Sequence, residues 1–185
     1  MKVAVTGGIG CGKSYVCGFL RRRGMDVYDC DSAAKRLMRT SLSMQDSIRK
    51  LIGAAAYTDD GILDKAVVSR FLLASPDNAA RLNAIVHPAV AADFEASGMQ
   101  WMECAILFTS SFDRLVDRVV CVTAPLELRL NRIMERDGIS RDRALEWIEC
   151  QMPQEEVLRR SDFEIVNDGT ADVDMQIARL LESLF

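Results

Sequence analysis

Residues 2–6, Lys-Val-Ala-Val-Thr, make a short apolar, β-rich run that halts at Gly7-Gly8, the pattern of a buried first strand. Lys13 to Arg23 then reads as a helix closed by Gly24, and Met25–Asp29 as a second short strand. From Ser32 to about Ala92 the pattern is mostly helical, with breaks at Gly53, Asp59-Asp60-Gly61, Ser75-Pro76 and His87-Pro88. Trp101–Phe108 and Arg118–Thr123 read as strands three and four. Pro125–Arg136, Arg141–Gln151 and Pro153–Arg160 read as helices, Phe163–Val166 as a last strand and Ala171–Leu184 as a closing helix.

Four of these five strands are apolar enough to be buried on both faces, and strands alternate with helices at both ends of the chain. That combination predicts an α/β fold with a parallel sheet sandwiched by helices. The helical stretch between strands two and three exceeds what one crossover needs. It is expected to form a sub-domain over the carboxyl ends of the strands, where ligands bind in such sheets.

Composition narrows the class. With 185 residues, 49% hydrophobic and 27% charged, the chain suits one soluble domain. Folding at this length buries roughly 70% of the extended surface, enough for a core without staples. A net charge of −4 leaves no basic footprint, so neither nucleic acid nor an anionic membrane is expected as a partner. Six cysteines lack a C-x-x-C pair and only one histidine, His87, accompanies them, which reads as free thiols in a reducing, cytoplasmic compartment rather than a zinc site. The run at Val3–Val5 is too short for a signal peptide or a membrane span.

The strongest chemistry lies in Gly7-Gly8-Ile9-Gly10-Cys11-Gly12-Lys13-Ser14, which fits G-x-x-x-x-G-K-[ST] between a strand and a helix. Its glycines let successive N–H groups turn toward phosphate oxygens, and the following helix adds its positive end. Lys13 is expected on the β- and γ-phosphates and the Ser14 hydroxyl on Mg²⁺. No N-K-x-D follows a strand, as a GTPase would need. Neither Ile106–Phe108 nor Val119–Val122 ends in the Asp-Glu of a large ATPase. A small nucleotide or metabolite kinase remains. After strand two, Asp29 and Asp31 would face one space if strand geometry continues. One would take the acceptor proton and the other hold a water of the Mg²⁺ shell, or one would simply cap the next helix. Arg129, Arg132 and Arg136 share a helix face by their i, i+3, i+7 spacing, suited to a triphosphate clamp. Arg21-Arg22-Arg23 reads as a solvated helix end, and His87 as either substrate contact or structure.

The chain resembles the dephospho-coenzyme A kinase family along nearly its whole length. Thr6–Ser14 is similar to that family's T-G-G-I-G-S-G-K-[ST], Asp29-Cys30-Asp31 to its D-A-D, and Leu82–Val90 to its L-x-x-I-x-H-P-x-V. Arg132, Arg136-Asp137, Gln151 and Asp162–Gly169 follow its R-x-x-x-R-D, lone glutamine and A-D-x-x-I-x-N-x-G in order. The resemblance implies a three-layer P-loop kinase fold with a five-stranded parallel sheet, a helical acceptor sub-domain and a lid. One domain would then span 1–185, with residues 1–31 and 99–185 as the nucleotide core, a lid at about 132–150, and 32–98 binding the acceptor. It further implies transfer of the ATP γ-phosphoryl group to the ribose 3′-hydroxyl of dephospho-CoA, with Mg²⁺ as cofactor and a monomer or weak homo-oligomer as the working form.

Carried over by position, Asp31 is the general base, with Lys13 and Arg136 catalytic beside it. Gly8, Ile9, Gly10, Cys11, Gly12, Lys13, Ser14, Tyr15, Arg132, Asn167 and Gly169 bind the nucleotide. Asp29, Asp31 and His87 bind the acceptor, Ser14 holds Mg²⁺, and Asp29 reaches it through water. Tyr15 and Cys11 depart from the family's small residues. Its P-L-L-F-E becomes Ala105-Ile106-Leu107-Phe108-Thr109, without the proline or the acid, which Glu103 would replace, and its D-R reads Asp64-Lys65. Another metabolite or nucleoside kinase and a non-catalytic nucleotide switch are the alternative readings.

Overall fold

The computed structural model describes residues 1–184. Five strands, β1 (Val3–Thr6), β2 (Val27–Asp29), β3 (Trp101–Glu103), β4 (Arg118–Thr123) and β5 (Phe163–Val166), form an all-parallel sheet in the order β2-β3-β1-β4-β5. β1 is central, with Val5 opposite Glu103 on one side and Val120 on the other. The chain moves outward from β1 in both directions, so the loop leaving β1 opens at the switch point of the sheet.

Helices α1 (Lys13–Arg22) and α9 (Val173–Leu184) cover one face. Val16, Cys17 and Leu20 of α1 and Val173, Ile177 and Leu180 of α9 pack with Val3, Val5, Val120, Val122 and Ile165. Each fully buried Leu or Ile here contributes about 1.5–3 kcal/mol. The alternate positions, Ala4, Val119 and Cys121, are buried as well, which is why the strands read as continuous apolar runs. α6 (Leu126–Asp137), α7 (Arg141–Glu149) and α8 (Gln154–Arg159) lie between β4 and β5 in the chain, and Leu130, Ile133 and Ala144 join α6 to α7 in a small core of their own.

Two compact units result: Met1–Tyr28 with the chain from Met99 onward, and Asp29–Gly98. The second holds α2 (Cys30–Thr40), α3 (Leu42–Ile52), α4 (Lys65–Ala74) and α5 (Asp77–Ser97), with a 3-10 turn at Ala54–Ala56. Met44, Ile48, Tyr57, Val86, Val90 and Phe94 are buried within it. The Tyr57 hydroxyl donates to Met38 O at 2.8 Å, and Asn78 Nδ2 to Phe71 O at 2.7 Å, tying loop and helix ends together. Among the described residues no helix is long and apolar enough to cross a membrane.

Two expectations need correction. Strand three ends at Glu103, not Phe108, and residues 105–110 turn instead. Leu107 alone of that apolar group is fully buried there, while Ile106 is exposed, so the run serves a turn rather than a ladder. His87-Pro88 does not break the helix, because α5 runs through it to Ser97. Proline removes one N–H and crowds the carbonyl four residues back. Burial of Val86, Val90 and Phe94 on both sides of it outweighs that local cost.

Candidate active site

The loop between β1 and α1 is shaped by its glycines. Gly7, Gly10 and Gly12 have φ of 144°, 81° and 86°, a region other residues rarely enter. Gly12 is the N-cap of α1 and uses no side chain to do so. Helix geometry leaves the N–H groups of Lys13, Ser14 and Tyr15 without intrahelical partners, the donors an anion would take.

Lys13 is half-buried, and its Nζ donates to Gly7 O at 2.9 Å and Gly8 O at 3.2 Å. Burial pushes its pKa below the usual lysine value, and the neighbouring Cys11 and Glu103 only partly oppose that shift. A cation held in such a place gains most when an anion arrives to compensate it. The Ser14 hydroxyl donates to Glu103 Oε1 at 2.6 Å. Glu103 is 8% exposed and stands at the carboxyl end of β3, beside β1, with Arg21 Nη2 3.9 Å from its other oxygen.

Sequence reasoning gave Glu103 only a compensating role. A strand running to Phe108 hides this acid in its interior. The observed end puts it at the carboxyl end of β3, within reach of the Ser14 hydroxyl. Ser14 and Glu103 together offer hard oxygen donors, a set that fits Mg²⁺, which takes one or two protein oxygens and completes its shell with phosphate and water.

The arginine face divides. Arg129 is 5% exposed and its Nε donates to Ile9 O at 2.9 Å. Arg132 donates through Nη1 to Gly10 O and Cys11 O at 3.2 and 3.3 Å, and through Nη2 to Asn167 O at 3.2 Å. Asn167, buried after β5, donates from Nδ2 to Cys11 O at 2.8 Å, so the structure brings Arg132 and Asn167 together on the loop. Gly169 follows with φ 89°, after an Asp168 whose carboxylate accepts from the N–H of Thr170 and Ala171. These bonds hold the Asp168 carboxyl below its usual pKa. Arg136 is placed differently: at the exposed end of α6, its Nε and Nη2 pair with Asp137 Oδ2 at 3.0 and 2.7 Å. Tyr15 is exposed and its ring meets Phe19 edge-on at 5.0 Å.

The two acids after β2 do not share a strand face. β2 ends at Asp29 and α2 begins at Cys30, so strand geometry does not continue to Asp31. Asp29 caps α2, accepting from Asp31 N at 3.0 Å, Ser32 N at 3.1 Å and the Ser32 hydroxyl at 2.8 Å. Asp31 sits exposed in the first helical turn, paired with Lys35. His87 is half-buried on α5, where burial lowers its pKa. Thr109 caps its own turn, donating to Ile106 O at 3.1 Å.

A cavity of about 760 Å³ opens at the carboxyl ends of β4 and β5. Its walls carry Glu149, Glu155, Glu164 and Asp168 against the single cation Arg129, the wrong sign for a triphosphate.

A strand-to-helix phosphate loop, its lysine and serine, and an acid on the adjacent strand make the chain a P-loop kinase. A family profile described as dephospho-CoA kinase matches residues 1–173. A dephospho-CoA kinase of Bacteroides fragilis (strain YCH46) is 36% identical over 100% of this chain and 93% of its own length. One of Salinibacter ruber is 37% identical over 91% of this chain and 89% of its own. A crystal structure from Thermus thermophilus superposes with a TM-score of 0.85 at 29% identity, covering 100% of this chain and 97% of that one. The dephospho-CoA kinase of Campylobacter jejuni, 23% identical with a TM-score of 0.69 over 100% and 98%, shares the fold. The chain belongs to the dephospho-CoA kinase family.

Proposed function

We propose that the protein transfers the γ-phosphoryl group of ATP to the ribose 3′-hydroxyl of dephospho-CoA, giving coenzyme A and ADP. The observation that carries this reading is the grouping of Lys13, Ser14 and Glu103 at the switch point of a parallel sheet, in a chain of this family. Lys13 exchanges its two carbonyl partners for phosphate oxygens as the nucleotide enters, and the open N–H groups at the start of α1 receive the same phosphates. Asn167 to Gly169 lie near the adenine, and Arg132 assists Arg136 in neutralising charge on the transferring phosphoryl group. Ser14 and Glu103 would hold Mg²⁺, which would supply electrostatic stabilisation of the phosphate charge.

On the acceptor side, Asp31 takes the proton of the attacking hydroxyl, releasing Lys35 to do so, and Asp29 fixes the start of α2 by its capping bonds. Asp29's cap role supports positioning more than a water-mediated metal contact, since both its oxygens are engaged. His87 on α5 contacts the acceptor. Arg136 turns from Asp137 to the transferring group when the segment around residues 132–150 closes, excluding water from a reaction that would otherwise hydrolyse ATP. The free thiols fit a reducing cytoplasm.

The test is the product. With Mg·ATP and separate supplies of dephospho-CoA, nucleosides and shikimate, phosphorus NMR should show a new monoester on the ribose 3′-carbon of dephospho-CoA alone. Preferential phosphorylation of a nucleoside or of shikimate would assign the scaffold to another small-molecule kinase.

A further inference from the structure

The outer side of the phosphate loop is held by side chains from far along the chain. Ile9 N donates to Gln151 Oε1 at 2.7 Å, and Ile9 O accepts from Arg129 Nε at 2.9 Å. Both polar groups of one loop residue are thus occupied from outside. The neighbouring glycines fit this packing: a Cβ on Gly8 would lie 2.4 Å from Arg129 Nη2 and 3.3 Å from Gln151 Oε1, and one on Gly10 would lie 2.7 Å from Arg129 O. Gln151 stands in the short connection between α7 and α8, fixed by its own N–H to Ile148 O at 3.1 Å. Three residues on, Gln154 Oε1 accepts from Ala124 N at 3.2 Å and from the Cys11 thiol at 3.3 Å. The connection and the first residue of α8 therefore fasten loop positions 9 and 11 and the residue after β4.

We infer that Gln151 is a positioning residue for phosphoryl transfer, holding the Ile9 amide outward so that the inner N–H groups of the loop stay set for phosphate. Gln151 touches no reacting atom in this role and acts through the backbone of the loop. The inference deepens the kinase reading and rests on it, but nucleotide affinity tests it without any acceptor.

The experiment uses the full chain with Gln151→Leu, which removes the acceptor oxygen at similar volume, and Gln151→Glu, which keeps it beside Arg129. Calorimetry gives Mg·ADP affinity, steady-state kinetics give KM for ATP and for dephospho-CoA, and NMR follows the Ile9 amide proton. Stranding a part-buried N–H should weaken nucleotide binding roughly tenfold in Gln151→Leu. KM for dephospho-CoA should stay unchanged, the Ile9 proton should move upfield, and Gln151→Glu should remain within about threefold of the parent. Parent-like Mg·ADP affinity in folded Gln151→Leu overturns the inference. So does an equal loss of thermal stability and of both affinities in the two variants, the mark of a structural role. Should Gln151→Leu not fold, Gln151→Glu decides: parent-like affinity with a downfield Ile9 proton supports the inference, and weakened affinity with that bond intact overturns it. If the parent binds Mg·ADP yet leaves dephospho-CoA untouched, the acceptor assignment fails while the affinities still judge Gln151.

Discussion

His87 and the buried thiols show what single side chains add to the account. Burial holds the His87 imidazole below its ordinary value of 6.5, so on acidification the unfolded chain takes up this proton first. Between 6.5 and the lower folded value the unfolded state binds more protons, and stability falls as pH falls through that window. Thermal melts from about pH 7.5 to about pH 5 should therefore decline more steeply for the parent than for His87→Asn. Parallel curves would mean that the imidazole titrates alike in both states. Cys121, within β4, has its thiol pushed up to about 12 by burial, and Cys17 is raised too, while Cys150 is exposed. Individual residues were unevenly legible in the sequence. Lys13 and Ser14 announced themselves because the loop motif is local. Glu103 did not, because its meaning depends on where β3 stops, and a run of apolar letters does not mark that point.

At the scale of elements, the glycine loop is constrained by α6, whose Arg129 and Arg132 bond its backbone. Gly10 combines φ of 81° with a Cβ position 2.7 Å from the Arg129 carbonyl oxygen. Gly10→Ala should cost about 1–3 kcal/mol of stability through backbone strain and should weaken Mg·ADP binding, measured by urea melts and calorimetry. Unchanged stability would show that α6 yields easily there. β4 and β5 were readable to the residue because each is a short β-rich run with clear ends. α5 was not: a proline inside a helix is a weak local signal set against buried side chains on both sides, and packing decides. The pair Asp29 and Asp31 fell between two periodicities. Read as strand, they share a face; the cap at Asp29 turns the chain helical, and the spacing then means something else.

The whole molecule combines a sheet unit with a helical unit, Asp29–Gly98. The parallel sheet was legible because its strands are apolar on both faces. The run of helices between β2 and β3 was legible because it is longer than one crossover requires. Side-chain partnerships across long sequence distances were not, since nothing in spacing connects Gln151 to Ile9 or Asn167 to Cys11. Arg129 lay on the same predicted helix face as Arg132 and Arg136. Its place on the loop follows from burial, and burial is a property of the assembled fold. The central claim is phosphoryl transfer from a Lys13-held ATP to an acceptor deprotonated by Asp31. The most direct measurement is ADP release from Mg·ATP with and without dephospho-CoA, for the parent, Lys13→Ala and Asp31→Asn. The account predicts release that depends on dephospho-CoA and falls at least about 100-fold in each variant, with ATP still bound by Asp31→Asn. Release indifferent to dephospho-CoA, or an Asp31→Asn variant as fast as the parent, would contradict it.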